Sequence, residues 1–263
     1  DFCEQNGIEL ITLPPHVGSI IQPAASHIFP IIRFLFNQCV DRYRAAHPSS
    51  KFTAQHIASL FCKIQPIAFT NENVSKAFSE NGIFPLNEDI FQKKQFLMAG
   101  VDQSESPLLS VDIPVNISLD FPDIQDEEDL RADETDTDCL SNNDSVLIDS
   151  TSFNVPISSP VTNAQFQGTP FVEFYDNLVH AYDELEARGI AKPEAIYNLD
   201  EIEIQISAME SDPLRPRITV CCYANAVGHS LPPFLVYPEN DYSPGMLAGG
   251  IPGMRGTASS TGC

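Results

Sequence analysis

The stretch Gly7–Arg33, GIELITLPPHVGSIIQPAASHIFPIIR, decides the fold. Ile8, Leu10 and Leu13 alternate imperfectly with Glu9 and Thr12, which predicts a short half-buried strand, and Pro14-Pro15 ends it because proline has no N–H for a ladder. Beyond that turn, Gln22-Pro23 leads into Ile28, Ile31, Ile32, Leu35, Cys39 and Tyr43. These recur at three and four and mark one buried helix face. The unit is strand, tight loop, helix.

Outward from it, Asp1–Asn6 reads as the last turn of a helix ended by Gly7. Downstream, His47-Pro48-Ser49-Ser50 is a break and Thr53 begins a short helix through Ile57, Leu60 and Phe61. Thr70 caps a further helix over Asn71–Ser79, which carries Val74, Ala77 and Phe78 and ends at Asn81-Gly82. Much later, Thr169-Pro170 opens a helix whose face of Phe171, Phe174, Tyr175, Leu178, Tyr182 and Leu185 runs to Gly189. The run Ala195–Glu201 then reads as a strand ending in an acid, Asp200. Arg217–Cys222 and Leu231–Tyr237 are β-rich runs joined by a hairpin through Asn225–His229.

The bulk of the chain divides around these elements. With 263 residues, a formal net charge of −22, 21 prolines and no tryptophan, much of it is not expected in a core. From Val101 to about Gln167, acids crowd Asp120–Asp149 with Arg131 the one positive charge among them, so the stretch repels itself and has little to bury. It is expected to be a disordered acidic linker, with Leu108–Ile113 and Val146–Ile148 as short docking segments. The expected division is 1–100, linker 101–168, and 169–263. Cys3, Cys39, Cys62, Cys139, Cys221, Cys222 and Cys263 show no C-x-x-C pairing or metal-ligand rhythm and are read as reduced thiols, which suit an intracellular compartment. No apolar run nears the roughly 18 residues of a membrane span, and no signal peptide is visible, so a soluble protein is expected.

The opening unit closely resembles the last part of the DDE endonuclease domain of pogo/Tigger/jerky-type DNA transposases, whose loop reads P-P-H-T-S-H-x-L-Q-P-L-D-V. Pro14, Pro15, His16, Gln22, Pro23, Phe29 and Arg33 fall in register with it. So do Ala68-Phe69-Thr70, Ala77-Phe78 and Gly82–Asn87 with the family's closing A-F-T-P-x-N and F-x-x-T-G-I-x-P-x-N. Tyr197-Asn198-Leu199-Asp200-Glu201 is similar to the family's Y-N-x-D-E-T-G, although Ile202-Glu203 replaces Thr-Gly. The segment Val220–Phe234 is similar to V-T-x-x-C-x-x-x-A-x-G-x-x-L-P-P-x-F, with Gly253, Ser259 and Gly262 in the following glycine-rich loop. The resemblance covers about 1–96 and 169–263, two stretches of one domain in reversed order.

That resemblance implies an α/β, ribonuclease-H-like fold, incomplete and in two fragments. It makes Asp200 the first catalytic carboxylate and puts Ala25 where the third should stand. The family's chemistry needs two Mg²⁺ or Mn²⁺ ions about 4 Å apart on hard carboxylate ligands, and an alanine methyl cannot ligate. Asp41 lies sixteen residues on, roughly 24 Å away along a continuous helix, and cannot substitute. The second acid's motif would precede Asp1, so the chain reads as the tail of one transposase copy joined to the head of another. In the family's sheet order, 3-2-1-4-5, strand 4 would fall between Ile196–Leu199 and Ile8–Leu13, and its absence leaves two sheet edges open to another chain.

Three expectations follow: a transposase-derived protein of the nucleus with residual DNA association and no catalysis, an endonuclease completed in trans, or a non-enzymatic interaction protein using the acidic linker and the open edges, by self-association or by pairing with an intact transposase. Arg33, Arg42, Arg44 and Lys51, with Phe34, Phe36 and Tyr43 between them, are the basic and aromatic cluster offered for phosphate contact. The strongly acidic balance opposes it.

Overall fold

A computed structural model describes residues 2–13, 18–87, 89–90, 108–114, 150–156, 169–205, 217–238 and 242–260. The helices are α1 (Phe2–Gln5), α2 (Gly18–Ile21), a π-helical turn Ala24–Ile28 running into α3 (Phe29–Ala46), α4 (Ile57–Ala68), α5 (Asn71–Glu80) and α6 (Thr169–Ala187). The strands are β1 (Leu108–Pro114), β2 (Ser150–Pro156), β3 (Tyr197–Gln205), β4 (Arg217–Asn225), β5 (Phe234–Pro238) and β6 (Arg255–Ser259). The class is the expected mixture of helices and sheet.

Local signals act as their chemistry dictates. Thr70 Oγ1 accepts the Asn73 N–H at 3.1 Å and so caps α5. At the other end Gly82 takes φ +69°, and the Ile83 and Gly82 N–H groups close on Phe78 and Ser79 carbonyls, which terminates the helix. Gly189 ends α6 in the same way, with Ile190 on Leu185 and Gly189 on Glu186. Pro30 has no N–H for the Ser26 carbonyl, and the turn before it widens to π spacing, with Phe29 N–H on Ala24 O.

The four-stranded sheet has the order β3-β4-β5-β6, antiparallel across its first three strands and parallel at β6. Alternation puts Ile202 and Ile204 of β3, Ile218, Val220, Cys222 and Ala224 of β4, and Leu235 and Tyr237 of β5 on one face. Ile28, Ile31, Ile32, Leu35, Cys39 and Tyr43, the face read from the sequence, are all buried and share this core with α4 and α5. The two ends of the chain therefore build one core. Gln65 Nε2 donates to Leu231 O at 2.9 Å, and Ser75 Oγ to Ala226 O at 3.3 Å, which further ties α4 and α5 to the β4–β5 connection. A smaller cluster, Ile21 with Phe174, Leu178 and Tyr182 of α6, receives Ile11, Leu13 and Ile196.

Three expectations are corrected. Ile8–Leu13 is not a strand of either sheet: its side chains keep the half-buried habit at Ile11 and Leu13, but among the described residues no strand pairs with it. Within the expected linker, Leu108–Pro114 pairs antiparallel with Ser150–Pro156, so these two runs find each other as strands; Val146–Ile148 lies outside the described residues. Cys62 is disulfide-bonded rather than a thiol, while Cys3, Cys39, Cys221 and Cys222 keep their thiols. No helix among the described residues is long and apolar enough to cross a membrane.

Candidate functional site

Asp200 sits midway along β3, opposite Cys222 of β4, with the loop before α3 laid across it. Two hydrogen bonds hold that loop in place. Gln22 Nε2 donates to Leu199 O at 2.9 Å, and the Ala24 N–H donates to Asn198 Oδ1 at 2.8 Å. Residues of opposite ends of the chain thus meet, and Ala25 stands one residue from an anchor that lies two residues from Asp200. The sequence marks Gln22 only as part of the loop motif and Asn198 only as part of the strand motif, and gives neither residue this anchoring role.

The loop is stiffened from behind. Asn81, fully buried, donates from Nδ2 to Ser26 Oγ at 2.8 Å and to Ala77 O at 2.7 Å. Ser26 Oγ donates to Gln22 O at 2.8 Å and lies 2.8 Å from His27 Nδ1, while His27 Nε2 meets Glu80 Oε2 at 2.6 Å. The π-turn therefore carries a polar seam that fixes Gln22 against β3. A serine and a histidine in an otherwise apolar helix entry were the only sequence sign of it. The seam does not read as a nucleophile and base: Ser26 is buried, and its hydroxyl is donated to Gln22 O.

Burial pushes the Asp200 carboxyl up to about 6, and the charge of Glu201 adds to the rise. Working the other way are the Glu201 N–H, donated to Asp200 Oδ1 at 2.8 Å, the Gln22 side chain and the Arg33 guanidinium. A divalent ion does not suit this set. Asp200 brings one hard oxygen ligand set, Ala24 and Ala25 bring methyls, and Arg33 already acts on the carboxyl as a positive charge. Among the described residues no group of three or more His, Cys, Asp or Glu converges.

The basic cluster is not one surface. Arg33 and Arg42 are nine positions apart, about two and a half turns, and so lie on opposite sides of α3. Arg33 acts on Asp200, whereas Arg42 acts on Cys39, whose thiol burial pushes up to about 11. Arg44 reaches Asp41 at 3.9 Å, and Lys51 is exposed in the following loop. The aromatic members belong to the core: Tyr43 is buried with its hydroxyl 3.0 Å from His56 Nε2, and Phe36 packs edge-on to Phe52. Phe34 and Phe36 are half-buried against the same core.

No protein-family model, curated protein or solved structure matches this chain.

Proposed function

We propose that this chain is a transposase-derived protein of the DDE-1 type, built on an incomplete ribonuclease-H-like fold, that keeps nucleic-acid association of the family kind and does not cut DNA. One observation carries the loss of catalysis. Gln22 and Ala24 pin the loop to Leu199 and Asn198, the two residues before Asp200, and the residue next to that anchor, which this reading takes as the third acid position, is Ala25. Supporting the architecture, β3, β4 and β5 form an antiparallel meander with the acid on its first strand and the α3 entry laid across it. The nucleus is the compartment this reading implies, and DNA the partner.

The test is a salt series of gel shifts with linear and hairpin DNA, run beside a nicking assay in Mg²⁺ or Mn²⁺. Retention of DNA at low salt with no nicking is the expected result. Absence of binding at low salt overturns the nucleic-acid half; metal-dependent nicking lost in Asp200→Ala overturns the other, and favours an endonuclease completed by a partner chain. A second reading, a non-enzymatic interaction protein, is favoured by β3, which pairs with a strand on one side alone among the described residues. Its mark is partner binding that survives where DNA binding is absent.

A further inference from the structure

We infer that His27 is a proton latch: its imidazole carries two protons in the folded chain, and loss of one of them loosens the loop held over β3. The inference needs no catalytic reading of Asp200 and stands whether or not the chain is transposase-derived.

The charge follows from where each hydrogen goes. Asn81 Nδ2 has two, donated to Ser26 Oγ at 2.8 Å and to Ala77 O at 2.7 Å. Its 3.4 Å approach to His27 Nδ1 therefore brings no third. Ser26 Oγ has one, donated to Gln22 O at 2.8 Å, and Pro23 O, 3.5 Å away, can only accept. His27 Nδ1 lies 2.8 Å from that same hydroxyl oxygen, so the hydrogen between them is its own. Across the ring, Nε2 meets Glu80 Oε2 at 2.6 Å, short enough for a charge-assisted bond. Glu80 is half-exposed and Lys76 Nζ stands 3.8 Å from its Oε1, so it is the carboxylate and Nε2 the donor. Both ring nitrogens thus carry hydrogen, in a residue 6% exposed.

Of the elements packed on the π-turn, α5 supplies Glu80 and Lys76, α2 has no titratable side chain, and Arg33 of α3 and Asp200 of β3 act on each other. Deprotonation of His27 has a direction. A bond to an ionised acceptor is roughly twice as strong as a neutral one, so Nε2–H stays on Glu80 and Nδ1 gives its proton to water. Ser26 Oγ then faces a bare nitrogen and turns its hydrogen from Gln22 O to Nδ1. Gln22 O keeps the Ser26 N–H at 2.9 Å but loses the hydroxyl. The grip of Gln22 on Leu199 O and of Ala24 on Asn198 Oδ1 weakens with it. The latch is shut while His27 is an imidazolium and opens as pH rises.

The test follows the whole nitrogen-15-labelled chain by NMR from about pH 6.5 to 9.5. It reads the His27 ring nitrogens and the exchange of the Ala24 amide, corrected for the intrinsic rate. At the lower end both nitrogens should be protonated. At the upper end only Nε2 should be, with Ala24 protection down roughly fivefold. In E80Q the new amide donates to Nε2, so the Nδ1–H tautomer and a flat Ala24 profile are expected throughout. D200N should keep the parent's profile, since that carboxyl, pushed up to about 6 by burial, titrates lower. A bare ring nitrogen at the lower end overturns the inference, as does a bare Nε2 in place of a bare Nδ1 at the upper. So does a His27 doubly protonated throughout, which makes it a fixed strut. An Ala24 profile that is flat in the parent, equally steep in E80Q or absent in D200N overturns it as well.

Discussion

Ala24 donates its backbone N–H to the side-chain oxygen of Asn198 at 2.8 Å, across 174 positions of sequence. Both partners are largely withdrawn from water, and Ala24 is 6% exposed, so removal of the acceptor leaves a buried donor without a partner. Asn198→Ala should cost about 1–3 kcal/mol in urea unfolding. Asn198→Ser, which keeps an oxygen near the same place, should cost less. Equal losses for the two would mean that packing and not the hydrogen bond holds the loop.

A second prediction concerns the seam between α5 and the β4–β5 turn. Gly228 has φ +91°, and a Cβ placed there would lie 2.3 Å from Asn71 Cα. The obstacle is backbone, so no side-chain rotation relieves it. Gly228→Ala combines an unfavourable conformation with this clash and should cost about 3 kcal/mol or more, or detach the turn from α5. Thermal unfolding reads the first outcome. Faster amide exchange confined to the start of α5 reads the second, and a variant as stable and as protected as the parent would refute both.

These contacts show where sequence reading stops. Thr70, Gly82 and Gly189 were legible because a cap needs only neighbours within one turn. The buried face of α3 was legible from its period. Ile8–Leu13 has the pattern of a strand, yet a ladder needs a second chain segment beside it, which no local pattern supplies. The meeting of Gln22 with Leu199 and of Ala24 with Asn198 is a product of the packed core, and spacing along the chain carries no trace of it. Arg33 and Arg42, by contrast, are separated by helical phase alone. That division was readable, and nearness in sequence masked it.

The third prediction follows from Asp200. In an unfolded chain its carboxyl loses its proton near 4, whereas burial in the folded protein holds the proton to about 6. The folded state therefore binds the proton more tightly. This group costs no stability below pH 4, costs progressively more between 4 and 6, and costs its full amount above 6. Asp200→Asn removes the charge while keeping the shape. At pH 7.5 it should stabilise the protein by about 1–2 kcal/mol, the shift being discounted for the half-buried carboxyl, and at pH 4 the gain should vanish. Urea midpoints at the two pH values measure it; a gain equal at both, or a loss at pH 7.5, would show that the carboxylate is favourably held.

The fourth prediction tests the polar seam behind the loop. Asn81 has no exposed surface, and its amide serves Ser26 Oγ and Ala77 O at once. Asn81→Ala removes both bonds and leaves a void that cannot close, for about 2–4 kcal/mol. Ser26→Ala takes away the hydroxyl that links Asn81 to Gln22 O, for about 1–2 kcal/mol. Because the two residues share one network, the double variant should lose less than the sum, by about 0.5–1 kcal/mol. Strict additivity in a double-mutant cycle would mean that Asn81 supports α5 alone, and that Gln22 is fixed against β3 without help from the turn behind it.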